Sequence, residues 1–229
     1  MLQSALHWLG YGLCHQLPQR SFFGGNVQVP VCARDTGIYL GFVVSLALIS
    51  LLHRPDRPRE FPGVAGVTAI LLMVASMGID GVSSYAGWRT TTNDLRLITG
   101  LLCGYAMAAI VVPMLNDELW VRASKERVLS PSWRLIVWLA TVPVAFAAVR
   151  WLAPLLGPLY PVLVAVAIVA TLTAVNLVIV SLFPAFERRA ERLVDAWPAI
   201  LIALALTGAE IVGSALFRLW LEGLIGRVS

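Results

Sequence analysis

The residues able to do chemistry gather in one stretch, 14–37, CHQLPQRSFFGGNVQVPVCARDTG. It sets Cys14, His15, Gln16, Arg20, Ser21, Cys32, Arg34, Asp35 and Thr36 directly before a long apolar run. Cys14 and Cys32 admit three chemistries. In an oxidising compartment they could close a disulfide, constraining a loop of about 19 residues by about 3 kcal/mol. With His15 they offer soft and borderline donors to zinc or another transition metal, with Asp35 or Asp80 as a fourth ligand. As free thiols flanked by Arg20 and Arg34, one of them would be reactive. Cys103, in the middle of an apolar run, reads as inert packing.

A second polar stretch, WRTTTNDLR at 88–96, adds Arg89, Asn93 and Arg96. A guanidinium fork matches phosphate or carboxylate geometry. Arg20, Arg34, Arg89 and Arg96, with Asn93, are therefore the candidate ligands for an anionic group. The competing use of these arginines is to snorkel to headgroups or to pair with Asp35, Asp80 and Asp94. Asp80 and His15 are the candidate acid–base residues. Arg150 and Glu210 also lie inside apolar runs, where a structural ion pair between them is favoured, because unpaired charge in lipid is expensive.

Lipid has to be the solvent for the elements that position these groups. Hydrophobic residues make up 59% of the 229, and charged residues 13%. The mean hydropathy is +0.80. A soluble domain carries about 25% charged residues to wet its surface. This balance excludes a cytosolic enzyme, a secreted disulfide scaffold and a disordered tail. The +4 net charge is scattered in short loops and forms no nucleic-acid-binding stripe. There is no phosphate-cradling glycine loop, HExxH, GxSxG or CxxCH, which removes ATP-driven transport, zincin proteolysis and classical lipase chemistry.

Six runs approach the roughly 20 apolar residues that a spanning helix needs. They are 37–53, reaching back toward Asp35, then 64–87, 95–115, 134–155, 158–183 and 197–221. The expected fold is all-α: a polytopic bundle of six membrane helices (37–229) with an N-terminal segment (1–36) capping its outer mouth. Leu2, Leu6, Leu9 and Leu13 recur at helical spacing, so the tail opens as an amphipathic segment. It lacks a basic n-region and a small-residue cleavage site, which predicts a retained tail rather than a signal peptide. The loop 184–196 reads as a solvated surface helix.

Orientation follows from the basic loops. Arg54, Arg57 and Arg59, then Arg122, Lys125, Arg127 and Arg134, then Arg188, Arg189 and Arg192 put ten of the seventeen basic residues on one side. The positive-inside rule makes that side the cytoplasm of a prokaryotic inner membrane, with both termini extracytoplasmic. The tail and the 88–96 loop then share the outer face. At 1.5 Å per residue, Asp80, Arg150 and Glu210 lie roughly 20–24 Å along their spans, which predicts a shared level in the outer half.

The strings Cys14-His15-Gln16, Arg20-Ser21-Phe22 and Cys32-Ala33-Arg34-Asp35-Thr36-Gly37, followed by Asp80-Gly81, Thr92-Asn93, Arg96 and Thr99-Gly100, resemble one family. It is the domain-of-unknown-function 2085 family of bacterial and archaeal membrane proteins. The resemblance spans about residues 10–110 and implies that these residues act as a set. The expected function is a membrane-embedded enzyme with a polar, metal-binding or thiol site at the outer face, acting on an anionic lipid or isoprenoid phosphate. Its expected partners are membrane lipids and that anionic ligand, with no nucleic acid. The alternatives are a small permease lined by Asp80, Arg150 and Glu210, and a non-catalytic scaffold stapled by a disulfide.

Overall fold

The computed structural model describes residues 1–225. Among the described residues there are seven α-helices: α1 (Leu2–Tyr11), α2 (Ala33–Leu52), α3 (Val64–Tyr85), α4 (Asn93–Leu119), α5 (Ser132–Ala147), α6 (Leu159–Ser181) and α7 (Trp197–Ile225). A π turn, Ala148–Leu152, and a 3-10 turn, Ala153–Leu156, continue α5 to residue 156. Six of these helices are long and apolar enough to cross a membrane, and the chain is a polytopic membrane bundle. The spans fall where hydropathy places them, although α2 begins at Ala33. That start draws Arg34 and Asp35 into its first turn, with Cys32 as the N-cap.

Helix α4 is the axis of the bundle and the most buried of the six spans. Helix α2 crosses it with backbones nearly touching. A Cβ added at Gly100 would stand 2.1 Å from the Arg34 carbonyl oxygen, and one at Gly104 would stand 2.1 Å from that of Ile38. Small residues permit this approach, which is how helices associate where lipid removes the hydrophobic drive. Polar side chains then tie the layers. Trp138 Nε1 donates to Ser45 Oγ (2.8 Å), Ser45 Oγ donates to the Tyr105 carbonyl (3.2 Å), and the Tyr105 and Thr141 hydroxyls meet at 3.2 Å. Each group would otherwise be unsatisfied in an apolar interior.

The two ends of the bundle differ. One, the tail face, carries α1 and a hairpin of β1 (Phe23–Gly24) and β2 (Val27–Gln28), turned at Gly25 with φ +60°. Helix α1 buries Leu6 and Tyr11 and packs against α7 and α6. The opposite face carries the arginine-rich loops, where β3 (Pro58–Glu60) pairs in parallel with β4 (Ser124–Arg127). Residues 184–196 are not the surface helix expected there. They are turns plus one 3-10 turn, Leu193–Ala196. Their charges reach across the bundle instead of along a helix: Arg188 binds Asp117 at 3.1 Å, and Arg57 donates to the Glu191 carbonyl at 3.1 Å.

His53, at the C-terminal end of α2, is 1% exposed. Its Nε2 accepts from the Leu129 N–H at 3.1 Å, and the Arg134 guanidinium stands 2.9 Å from Nδ1. Burial, and then Arg134, hold its imidazole below the ordinary value. The unfolded chain therefore takes up this proton first as pH falls, so stability should decline from about pH 6.5 downward. Thermal melts in detergent should show that slope in wild type and a flatter one in His53→Gln. An equal slope in both removes His53 as the cause.

Candidate functional site

The first turn of α2, the last turns of α3, the first turns of α4 and the chain reversal after α1 converge at the tail face. That reversal is built by Gln16, which takes φ +52°. Its amide donates to the His7 carbonyl at 2.9 Å and the Pro30 carbonyl at 2.7 Å, and its own carbonyl accepts from Gln28 Nε2 at 2.9 Å. The fold-back brings Cys14 against Cys32 although 18 positions separate them. The Cys32 N–H donates to Cys14 Sγ at 3.2 Å, and Cys32 Sγ donates to Asp35 Oδ2 at 3.2 Å. The two sulfurs and an Asp35 oxygen all lie within 4.8 Å of one another.

The thiols are inequivalent. The hydrogen bond from Cys32 holds the Cys14 thiol below its ordinary value, against the opposing effect of burial. Cys32 is pushed up by its engagement with Cys14, by burial and by the Asp35 charge. Cys14 is therefore the sulfur that ionises first, and Asp35 is the oxygen donor beside it. Two sulfurs and a carboxylate form a donor set that would suit zinc. His15 is exposed and stands outside this trio, on the wall of the same cavity.

That cavity measures about 390 Å³. Cys14, His15, Cys32, Asp35, Arg20, Arg34 and Arg96 line it, along with Gln16, Ser84 and Tyr85. Arg96 is 8% exposed, and among the described residues its guanidinium hydrogen-bonds only Asn93 Oδ1, at 3.4 Å. Among the described residues, neither Arg96 nor Arg20 has a carboxylate within 4.0 Å. Arg34 Nε is buried without an acceptor among the described residues. A largely desolvated guanidinium and an unused donor on one wall favour an anion.

Asp80 lies behind this wall rather than in it. It is 1% exposed, and its oxygens receive Arg34, Arg89 (2.7 Å), Thr91 (3.0 Å) and Thr99 (3.5 Å). Arg89 is thus an Asp80 partner, with Nε donating to Ser83 Oγ at 2.7 Å. Asn93 donates to the Gln19 carbonyl at 3.2 Å, tying the start of α4 to the tail. Of the five arginine and asparagine candidates, the fold puts Arg20, Arg34 and Arg96 on the cavity, with Arg89 and Asn93 supporting it.

The Arg150–Glu210 pair does not form. Arg150 Nε donates to Asp94 Oδ1 at 2.5 Å, because the π turn carries it to the start of α4. Glu210 accepts instead from Asn176 Nδ2 at 2.9 Å. Asp80, Arg150 and Glu210 therefore each keep a separate partner. Arg218, Tyr11 and Glu222 form a further tie that sequence reasoning missed. Arg218 donates to the Tyr11 and Cys14 carbonyls (2.6 and 2.9 Å) and to Glu222 (2.8 Å), which also accepts from the Tyr11 hydroxyl at 2.5 Å. The i,i+4 spacing of Arg218 and Glu222 near the end of the last span was its one sequence signal.

Comparison with known proteins covers the same region. The model of a family described as predicted membrane protein, domain of unknown function 2085, matches residues 14–110. An uncharacterised protein of Methanocaldococcus jannaschii is 31% identical over 108 residues, 47% of this chain and 67% of that one. An uncharacterised protein of Methanothermobacter thermautotrophicus is 35% identical over 98 residues, covering 43% and 83% respectively. No solved structure matches the chain. The matched region contains the Cys14–Cys32–Asp35 trio and the whole Asp80 cluster, whereas Arg150, Glu210 and Arg218 lie beyond it. With two thirds or more of each relative covered at this identity, the chain belongs to the domain-of-unknown-function 2085 family of membrane proteins.

Proposed function

We propose that the chain is a membrane-embedded enzyme whose reaction takes place in the tail-face cavity, on a substrate with an anionic head such as a lipid or isoprenoid phosphate. The observation that carries this reading is one cavity wall holding a two-thiol, one-carboxylate cluster together with Arg20, Arg34 and Arg96. The arginines would hold the anion. Cys14, Cys32 and Asp35 would hold zinc or a similar metal, which would supply a Lewis acid there. His15 is the exposed imidazole available to move a proton. The oxygens of Asp80 are occupied by two guanidinium groups and two hydroxyls, which supports a positioning role for it rather than acid–base work. The ten basic residues at the other end support an outer placement of this face in a prokaryotic inner membrane.

A permease is less well supported, because Asp80, Arg150 and Glu210 are tied to separate partners and line no common path. Metal analysis of detergent-purified protein tests the enzyme reading. Wild type should carry about one equivalent of a transition metal, lost in Cys14→Ser and Cys32→Ser and weakened in Asp35→Asn. Inorganic phosphate or short-chain phosphatidate should bind wild type and not Arg96→Gln. Metal-free protein with Cys14 and Cys32 joined as a disulfide, and no anion binding, would leave the scaffold reading standing instead.

A further inference from the structure

Glu210 is the fourteenth of the 29 residues of α7, so it lies roughly 20 Å from either end of that helix, near the middle of the bilayer. Its side chain is exposed on the bundle surface, toward lipid. Behind it sits a buried polar cradle between α6 and α7. Asn176 Nδ2 donates to Glu210 Oε2 at 2.9 Å and to Thr207 Oγ1 at 3.1 Å, and the Thr173 and Thr207 hydroxyls meet at 3.3 Å. Asn176 and Thr207 are 2% and 1% exposed. Among the described residues, no Lys, Arg or His lies within 4.0 Å of the Glu210 carboxyl.

The elements packed on α7 bring no counter-charge to that level. The only titratable group on α6 is Tyr160, at its opposite end. The titratable groups of α1, His7 and Tyr11, lie at the tail face, where Arg218 and Glu222 of α7 bind each other and Tyr11. Asp195 caps the backbone of Arg192 and Glu191 before α7 begins. A carboxylate facing hydrocarbon with one neutral donor is expensive, and neutralisation by a proton is the remaining way to lower that cost.

From this geometry we propose that Glu210, cradled by Asn176 and Thr207, is a reversible proton-binding site within the membrane. Loaded, it is a neutral acid facing lipid. On release the proton passes to water, and the negative charge stays on the carboxylate against the Asn176 amide. The site is separate from the tail-face cavity and stands or falls independently of it.

A membrane-permeant carbodiimide tests this directly, because it reacts with protonated carboxyls in apolar surroundings. Treated wild type should carry one adduct, mapped to Glu210 by peptide mass, with a yield that falls as pH rises. Asp80, held by two arginines, should stay unlabelled. Glu210→Gln keeps the hydrogen bond to Asn176 and should lose the adduct while melting as wild type does. Asn176→Leu removes the donor to the carboxyl and should change the labelling yield at Glu210 without moving the adduct to another residue. Absence of an adduct at Glu210 at any pH in well-folded protein overturns the proposal. Protection by sodium also overturns it, since that assigns the cradle to a metal cation instead.

Discussion

Asp80→Ala is expected to destabilise the protein by about 3–5 kcal/mol, the cost of removing one partner from a buried ion cluster. Arg34 and Arg89 both donate to this 1%-exposed carboxylate, and alanine would leave the Arg34 guanidinium with no anion in a desolvated wall. Thr91 and Thr99 would lose an acceptor as well. Thermal unfolding in detergent should show the melting temperature falling by on the order of 10 °C. A paired replacement, Asp80→Leu with Arg34→Met, should recover a large part of that loss, because it removes the stranded charge along with its partner. If Asp80→Ala melts within 1 °C or so of wild type, the cluster is not what holds α2, α3 and the 88–96 loop together.

Gly100→Ala is the second large effect, and its origin is steric. The new Cβ would stand 2.1 Å from the Arg34 carbonyl oxygen and 3.2 Å from the Arg34 Cα. Both are backbone atoms in the first turn of α2, so no side-chain rotation relieves the overlap and the helices must part. A cost of about 3 kcal/mol follows, at the upper end for overpacking a tight interface. The same displacement moves Arg34, Asp35 and Cys32 together, so any anion or metal binding at the cavity should fall with stability. Gly78→Ala is the control. It also lies in a spanning helix, but a Cβ there meets nothing within 4 Å, and the higher helix propensity of alanine should leave stability unchanged or slightly raised. Equal melting temperatures for Gly100→Ala and Gly78→Ala would contradict the close crossing of α2 and α4.

The sequence alone was enough for the six spans, the amphipathic helix that opens the tail and the gathering of Cys14, Cys32, Arg34, Asp80 and Arg96 at one end of the bundle. Hydrocarbon imposes these features: a span needs a long apolar run, and polar residues that cannot lie in lipid collect at its ends. It could not assign partners. Local spacing leaves Asp80 either an acid–base residue or a partner of the arginines, because it does not show that Arg34, 46 positions away, and Arg89 both reach it. Arg150 and Glu210 looked like a pair because both are charges in apolar runs, yet the π turn delivers Arg150 to Asp94 while Asn176 takes Glu210. The loop 184–196 carries a helical charge pattern, but the residue before β3 and the last turn of α4 offer Arg57 and Asp117, and the segment forms those contacts in place of a helix. Burial, helix rotation and the reversal at Gln16 decided which donor meets which acceptor. Those choices depend on distances between segments far apart in the chain, and local spacing does not encode them.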